Sequence, residues 1–149
     1  MKNNILLRWY TTLGFIGYLP ASGSLATGIT VSYLYFFPFT SGMLYLVALA
    51  LVYISAYWCI KESYTLAQHA DPSEIVIDEV IGTLVTFYAV PISPFSLVCG
   101  FCLFRLFDIS KIGPVGWSEK INGPAGILLD DIVAGVLSNC ILRGILYVL

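Results

Sequence analysis

A chain of 149 residues that is 58% hydrophobic and only 11% charged, with a mean hydropathy of +0.88, departs from soluble domains, where charged residues make up about 25%. It reads as a single integral-membrane domain covering residues 1–149. Seven basic against nine acidic residues leave no basic face for nucleic acid, and Cys59, Cys99, Cys102 and Cys140 lie in apolar runs where a thiol acts as a small hydrophobe, so neither a secreted disulfide framework nor a CxxC metal site is expected.

In chain order, Lys2 and Arg8 precede an apolar stretch that meets Pro20-Ala21-Ser22-Gly23-Ser24 and then continues into further apolar sequence. Residues 5–19 therefore read as a segment that lies in the interface, re-enters or packs over the bundle, and only superficially as a signal peptide. About five apolar segments follow, residues 25–37, 43–60, 75–90, 95–109 and 127–149. Each is predicted helical, because lipid offers backbone groups no other partner; the fold class is an all-α, polytopic membrane helix bundle. The breaks at residues 37–42 and 90–94 are short and uncharged, with Pro, Gly and Ser supplying turn chemistry. The other two connections, 61–74 and 110–126, are long and polar. Alternating crossings put Lys2, Arg8, Lys61, Arg105, Lys111 and Lys120 on one side, side A, and the two short turns on the other, side B. The positive-inside rule makes side A cytoplasmic.

Six ionisable groups interrupt these apolar helices: Asp78 and Glu79 at the start of the third, Arg105 and Asp108 near the end of the fourth, and Asp130 and Asp131 near the start of the fifth. Each is expensive in lipid, about 2.5–3.5 kcal/mol at the bilayer centre, and the alternation of crossings brings all six to side A at similar depth. Arg105, Asp108 and Lys111 recur every three residues and are predicted to share one helical stripe. A single ion pair would merely make charge tolerable. More carboxylates than cations, without His or Cys, instead form hard oxygen ligands suited to Mg²⁺ or Mn²⁺, and a divalent metal beside Arg and Lys is equipment for phosphoryl chemistry. An ion or proton pathway through a small transporter or channel subunit is the other class of reading; it would spread charge through successive depths rather than gather it at one face. The block Ser22-Gly23-Ser24-Leu25-Ala26-Thr27 precedes the first span on side A, where a Ser or Thr cap and a glycine would make a helix N-terminus able to bind phosphate, with Gly23, Ser24 and Thr27 as its candidates. The same block also suits an ordinary N-cap. Gly82, Thr86, Ala134, Gly135 and Ser138 are read as small residues for close helix packing, and His69 as a solvated loop residue.

Residues 71–82, with Asp78-Glu79, residues 104–111, with Arg105, Asp108 and Lys111, and residues 126–135, with Asp130-Asp131, resemble in order the signature blocks of the phosphatidylglycerophosphatase A family. The Ser22-to-Thr27 block stands where that family has Pro-Gly-Thr-x-Gly-Ser. The resemblance implies a Mg²⁺-dependent lipid phosphatase of the bacterial inner membrane that converts phosphatidylglycerophosphate to phosphatidylglycerol and phosphate in phospholipid biosynthesis; other membrane phosphomonoesters are alternative substrates. Asp78, Glu79, Asp130 and Asp131 are then candidate metal ligands or bases, Arg105 and Lys111 clamp phosphate, and Asp108 orients the clamp or completes the metal shell. The partner implied is a phospholipid in the bilayer, and the oligomeric state stays open. The chain departs from the pattern at Ser22, Ser24, Ala26, Thr27, Ile112, Asn122 and Pro124, changes that bear on loop shape and substrate preference. The charged residues are all kept. Two routes fit the chemistry, attack by metal-activated water and attack by an aspartate to give an acyl phosphate; the first is favoured.

Overall fold

The computed structural model describes residues 5–66, 74–118 and 120–148. Among them the chain is entirely helical: α1 (Ile5–Thr11), a 3-10 turn (Ile16–Tyr18), α2 (Ser22–Phe36), α3 (Met43–Leu66), α4 (Ile77–Thr86), α5 (Pro94–Ser110), α6 (Pro114–Ser118) and α7 (Pro124–Val148). Four of the five expected apolar segments become α2, α3, α5 and α7 with ends shifted by a few residues. The region expected as polar loop between the fourth and fifth segments contains the short α6.

The expectation of about five membrane segments is not confirmed by helix length. Two are long and apolar enough to cross a membrane, Met43–Glu62 within α3 and Pro124–Val148. The ten residues of α4 rise only ~15 Å against a hydrocarbon core of about 30 Å. Its apolar sequence continues to Val90, but the helix stops at Thr86 and the chain turns at Phe87–Ala89, with Ala89 in the left-handed region (φ 53°). Carbonyls freed by such a break need donors where water is scarce, and side chains from other helices provide them. The Asn139 amide on α7 donates to both Thr86 O and Tyr88 O at 2.8 Å, and the Tyr45 hydroxyl on α3 donates to Leu84 O at 2.7 Å. Asn139→Leu removes both amide bonds while keeping size, so unfolding in detergent is expected to move to lower temperature by the equivalent of ~1–2 kcal/mol. An unchanged transition would show that the break does not depend on this amide.

The two turns assigned to side B meet. Ala89 N–H donates to Thr40 O at 2.6 Å, and the Thr40 hydroxyl donates to Val90 O at 3.0 Å. Ser93 and Ser96 then form a reciprocal capping box at the start of α5, with Pro94 at its first turn. Packing proceeds around α7. Ala56, Ile60, Ile75, Ile77, Ile81 and Leu128 bury the α3–α4–α7 seam, and Leu34, Phe87, Val90, Leu97 and Leu142 fill the side B half of the bundle. With the side B turns tied together, the opposite ends of α2, α4, α5 and α7 gather on side A.

Candidate active site

Two glycines bring α4 against α7. A Cβ on Gly82 would lie 2.7 Å from Asp131 O, and one on Gly135 would collide with Gly82 O, so each helix admits the other's backbone only where a side chain is missing. The contact sets Asp78 and Glu79, in the first turn of α4, beside Asp131 on α7. These three carboxylates offer oxygens that all lie within 4.8 Å of one another.

The adjacent Asp130 points elsewhere. Its Oδ1 accepts from Asp131 N–H at 3.0 Å and its Oδ2 lies 2.5 Å from Lys111 Nζ. On α4, Asp78 Oδ1 likewise accepts from Glu79 N–H, at 3.1 Å. Lys111 Nζ also donates to Asp108 Oδ1 at 3.3 Å, and Asp108 Oδ2 accepts from Arg105 Nη1 at 2.5 Å. Arg105 Nη1 is in turn 3.9 Å from Glu79 Oε1. One chain of alternating charge thus runs Asp130, Lys111, Asp108, Arg105, Glu79 and meets the carboxylate trio at Glu79. The expected stripe of Arg105, Asp108 and Lys111 needs one correction. The helix ends at Ser110, and Lys111 is its C-cap in the left-handed region (φ 50°), which frees its side chain to bridge α5 to α7. Burial lowers the affinity of the Lys111 ammonium for its proton, but the hydrogen bond and charge of Asp130, with Asp108 and Asp131 behind them, outweigh burial and raise its pKa.

The α2 N-terminus closes the site. A Cβ on Gly23 would overlap Glu79 Oε1 and stand 2.9 Å from Arg105 Nη1, so only glycine lets α2 begin this close to both. The cap residue is not the expected Ser or Thr but Ala21, left-handed at φ 56°, and no side chain bonds the first-turn amides. Ser24 is half-buried on that turn. Thr27 is fully buried one turn further along, and its hydroxyl donates to Gly23 O at 2.8 Å.

The structure therefore brings together Gly23, Asp78, Glu79, Arg105, Asp108, Lys111, Asp130 and Asp131, with Thr27 behind Gly23. His69, Asp71, Pro72 and Ser73 lie outside the described residues. Five carboxylates share the cluster with two cations. Two polar atoms within it are buried without a hydrogen-bond partner, Glu79 Oε2, an acceptor, and Arg105 Nε, a donor. Unpaired acceptor, excess carboxylate and an all-oxygen donor set fit a hard divalent cation. The unpaired donor on a guanidinium, next to a helix N-terminus whose amides no side chain caps, fits an oxyanion. Sequence reasoning allowed residues 5–19 to pack over the bundle but did not find their partners: Arg8 pairs with Glu74 at 3.1 Å, and Val76 N–H at the start of α4 donates to Thr11 O at 2.9 Å. No local motif announces such contacts across more than sixty residues.

The family model for Phosphatidylglycerophosphatase A matches residues 9–146. Phosphatidylglycerophosphatase A of Escherichia coli strain K12 is 35% identical over 128 residues, covering 84% of this chain and 72% of that protein. A Bacteroides thetaiotaomicron protein provisionally named phosphatidylinositol-3-phosphatase is 32% identical over 130 residues, covering 84% of this chain and 82% of that one. Phosphatidylglycerophosphatase A of Haemophilus influenzae is 31% identical over 107 residues, covering 70% of this chain and 65% of that protein. No solved structure matches the chain significantly.

Proposed function

The chain belongs to the phosphatidylglycerophosphatase A family, and from that premise we propose how its residues divide the work of hydrolysing a lipid phosphomonoester. It is a phosphatase of phospholipid biosynthesis, a membrane enzyme that removes the terminal phosphate of phosphatidylglycerophosphate. Asp78, Glu79 and Asp131 hold Mg²⁺, or Mn²⁺ in its place. The ion, when bound, neutralises charge on the phosphoryl oxygens and acidifies a water for attack. Arg105 and Lys111 receive the phosphate oxygens together with the first-turn amides of α2, where Gly23 allows close approach and Ser24 flanks the entry. Asp108 sits between the two cations and keeps both aimed at the same point. Asp130 orients Lys111, and Thr27 supports the Gly23 turn from behind.

The observation that carries this reading is the pair of opposite orphans, Glu79 Oε2 without a donor and Arg105 Nε without an acceptor, in one buried cluster. A cation and an oxyanion bound side by side satisfy both, whereas a purely structural ion-pair network leaves both at a desolvation penalty of about 1–3 kcal/mol or more each. Phosphate release by the purified enzyme is expected to stop when EDTA is added and to return with excess Mg²⁺ or Mn²⁺. Full activity after exhaustive chelation would refute the metal assignment. A panel of phosphatidylglycerophosphate, a phosphoinositide and a polyprenyl phosphate under the same conditions reads the headgroup preference.

The enzyme is further proposed to be a multi-pass protein of the bacterial inner membrane with this cluster at the cytoplasmic face. The shorter helices, with their flanking turns, cross beside α3 and α7, and Arg105, Lys111 and, at the approach to α4, Arg8 stand on the site's side of the bundle. In a cysteine-free background, Lys120→Cys, an exposed side A position, should react with an impermeant thiol reagent only after the membrane is opened, while Ser41→Cys, exposed on side B, should react in intact spheroplasts. The reverse pattern would invert the orientation.

A further inference from the structure

The sequence leaves residues 5–19 as an interfacial, re-entrant or bundle-packing stretch, and the reaction as described makes no use of them. Their two faces differ in kind. Ile5, Leu6 and Trp9 on α1, with Phe15 after it, are 65%, 81%, 62% and 69% exposed. Arg8 and Thr11, one turn apart on α1, turn toward the approach to α4, and Thr11 and the residue just past the helix, Thr12, are buried. This inner face grips the approach to α4. Arg8 Nη2 lies 3.1 Å from Glu74 Oε2, and Val76 N–H, at the cap of α4, donates to Thr11 O at 2.9 Å. The chain then reverses through Leu13 (φ 49°) and Gly14 (φ 71°), pinned by the Thr12 hydroxyl, which donates to Arg8 O at 2.8 Å and Gly14 O at 2.7 Å. The reversal lays Gly17 on the backbone ahead of α4: a Cβ there would collide with Glu74 O and stand 2.9 Å from Thr12 Cβ. Two residues beyond Val76 comes Asp78. The same segment leads directly into α2, whose second residue, Gly23, abuts Glu79.

Depth follows from the anchor on α3. The Tyr10 hydroxyl shares a hydrogen bond with Ser55 Oγ at 2.6 Å, and Ser55 lies seven residues before the end of the span Met43–Glu62, or ~10 Å along the helix. That is within the ~5–10 Å by which an interfacial helix sinks its apolar face past the headgroup boundary, and a short helix with Trp and aliphatic side chains on its outer face and Arg at its edge suits that layer.

We propose that residues 5–19 form an interfacial strap: Ile5, Leu6, Trp9 and Phe15 bed into the bilayer surface, while Arg8, Thr11 and Gly17 fix the start of α4 so that Asp78 and Glu79 keep the spacing a divalent cation needs. The positioning half rests on the metal reading given above; the lipid-docking half does not. Arg8, Thr11 and Gly17 are positioning residues, since none of them touches the carboxylate trio.

The test uses the full chain in nanodiscs of phosphatidylcholine and phosphatidylglycerol, with two readouts independent of turnover. With Trp58→Phe and Trp117→Phe, the fluorescence of Trp9 should be quenched more by lipids brominated high on the acyl chain than by lipids brominated near its end. Mn²⁺ binding, followed by electron paramagnetic resonance, should weaken ~10-fold in Gly17→Ala at an unfolding temperature close to that of the unsubstituted chain. Arg8→Gln should shift it a smaller amount in the same direction, and Arg8→Lys should restore it; this pair decides the matter if Gly17→Ala does not fold. Trp9 beyond reach of both quenchers overturns the lipid docking. Mn²⁺ affinity unmoved in Gly17→Ala, or in Arg8→Gln where that variant decides, overturns the positioning. Absence of Mn²⁺ binding by the unsubstituted chain is a different failure: it refutes the metal reading of the carboxylate trio, takes the positioning half with it, and leaves the quenching result to stand or fall alone.

Discussion

Asp131→Asn is expected to lower phosphate release at saturating Mg²⁺ on the order of 10³-fold, equivalent to about 4 kcal/mol of lost transition-state stabilisation, and to raise the Mg²⁺ concentration needed for what remains. Asp131 completes the trio with Asp78 and Glu79, and the substitution keeps its volume while removing the charge and one of the three converging carboxylates. Asp130→Asn should behave differently although the two residues are adjacent. Successive residues on a helix point ~100° apart, and Asp130 faces Lys111 rather than the trio. Its loss frees the ammonium, so turnover should fall while the Mg²⁺ dependence stays close to that of the unsubstituted enzyme. A Mg²⁺ titration of initial rates on both variants separates the two roles. If Asp131→Asn remains near full activity at ordinary Mg²⁺, the trio is not the metal site.

The second large effect is expected at Arg105. Its guanidinium reaches Asp108 and approaches Glu79 through Nη1, while Nε stays buried and unpaired. Arg105→Lys keeps the charge but loses the planar fork that grips two phosphate oxygens at once, and a loss of ~10²-fold or more in kcat/KM is expected with the protein still inserted and folded. Arg105 as a simple counter-charge to Asp108 makes the opposite prediction: the lysine variant keeps its activity, and so does the double variant Arg105→Leu with Asp108→Leu. An active double variant would assign the pair to structure alone.

What the sequence disclosed depended on how far apart the deciding groups stand. The apolar runs that become α2, α3, α5 and α7 are long, so their existence was plain. The meeting of Asp78, Glu79, Asp108, Asp130 and Asp131 with Arg105 and Lys111 followed from which helix end each occupies. The length of α4 was not legible, because Phe87-Tyr88-Ala89-Val90 is as apolar as the helix before it, and what ends the helix includes an amide on α7 and a hydroxyl on α3. Ala21 as the cap of α2 and Lys111 beyond the end of α5 were hidden for a related reason. Both adopt left-handed backbone that neither residue type signals, and Lys111 is tied from there to Asp130 on α7. The strap formed by residues 5–19 was legible in its outer, apolar face and invisible in its inner one, since Glu74 and Val76 are distant in sequence.

The glycine contact between α4 and α7 acts as a ruler. Asp131 stands on one helix and Asp78 and Glu79 on the other, so the width of the opening between them is set by the missing side chains of Gly82 and Gly135, one turn beyond the carboxylates. Mg²⁺ takes oxygens at about 2.0–2.1 Å and Ca²⁺ at about 2.3–2.6 Å, a difference smaller than the room a single methyl group would demand between the helices. On the proposed reading, discrimination between a small and a large cation is therefore held by two residues that never touch the ion, and a chain with alanine at either position would be tuned toward a wider one.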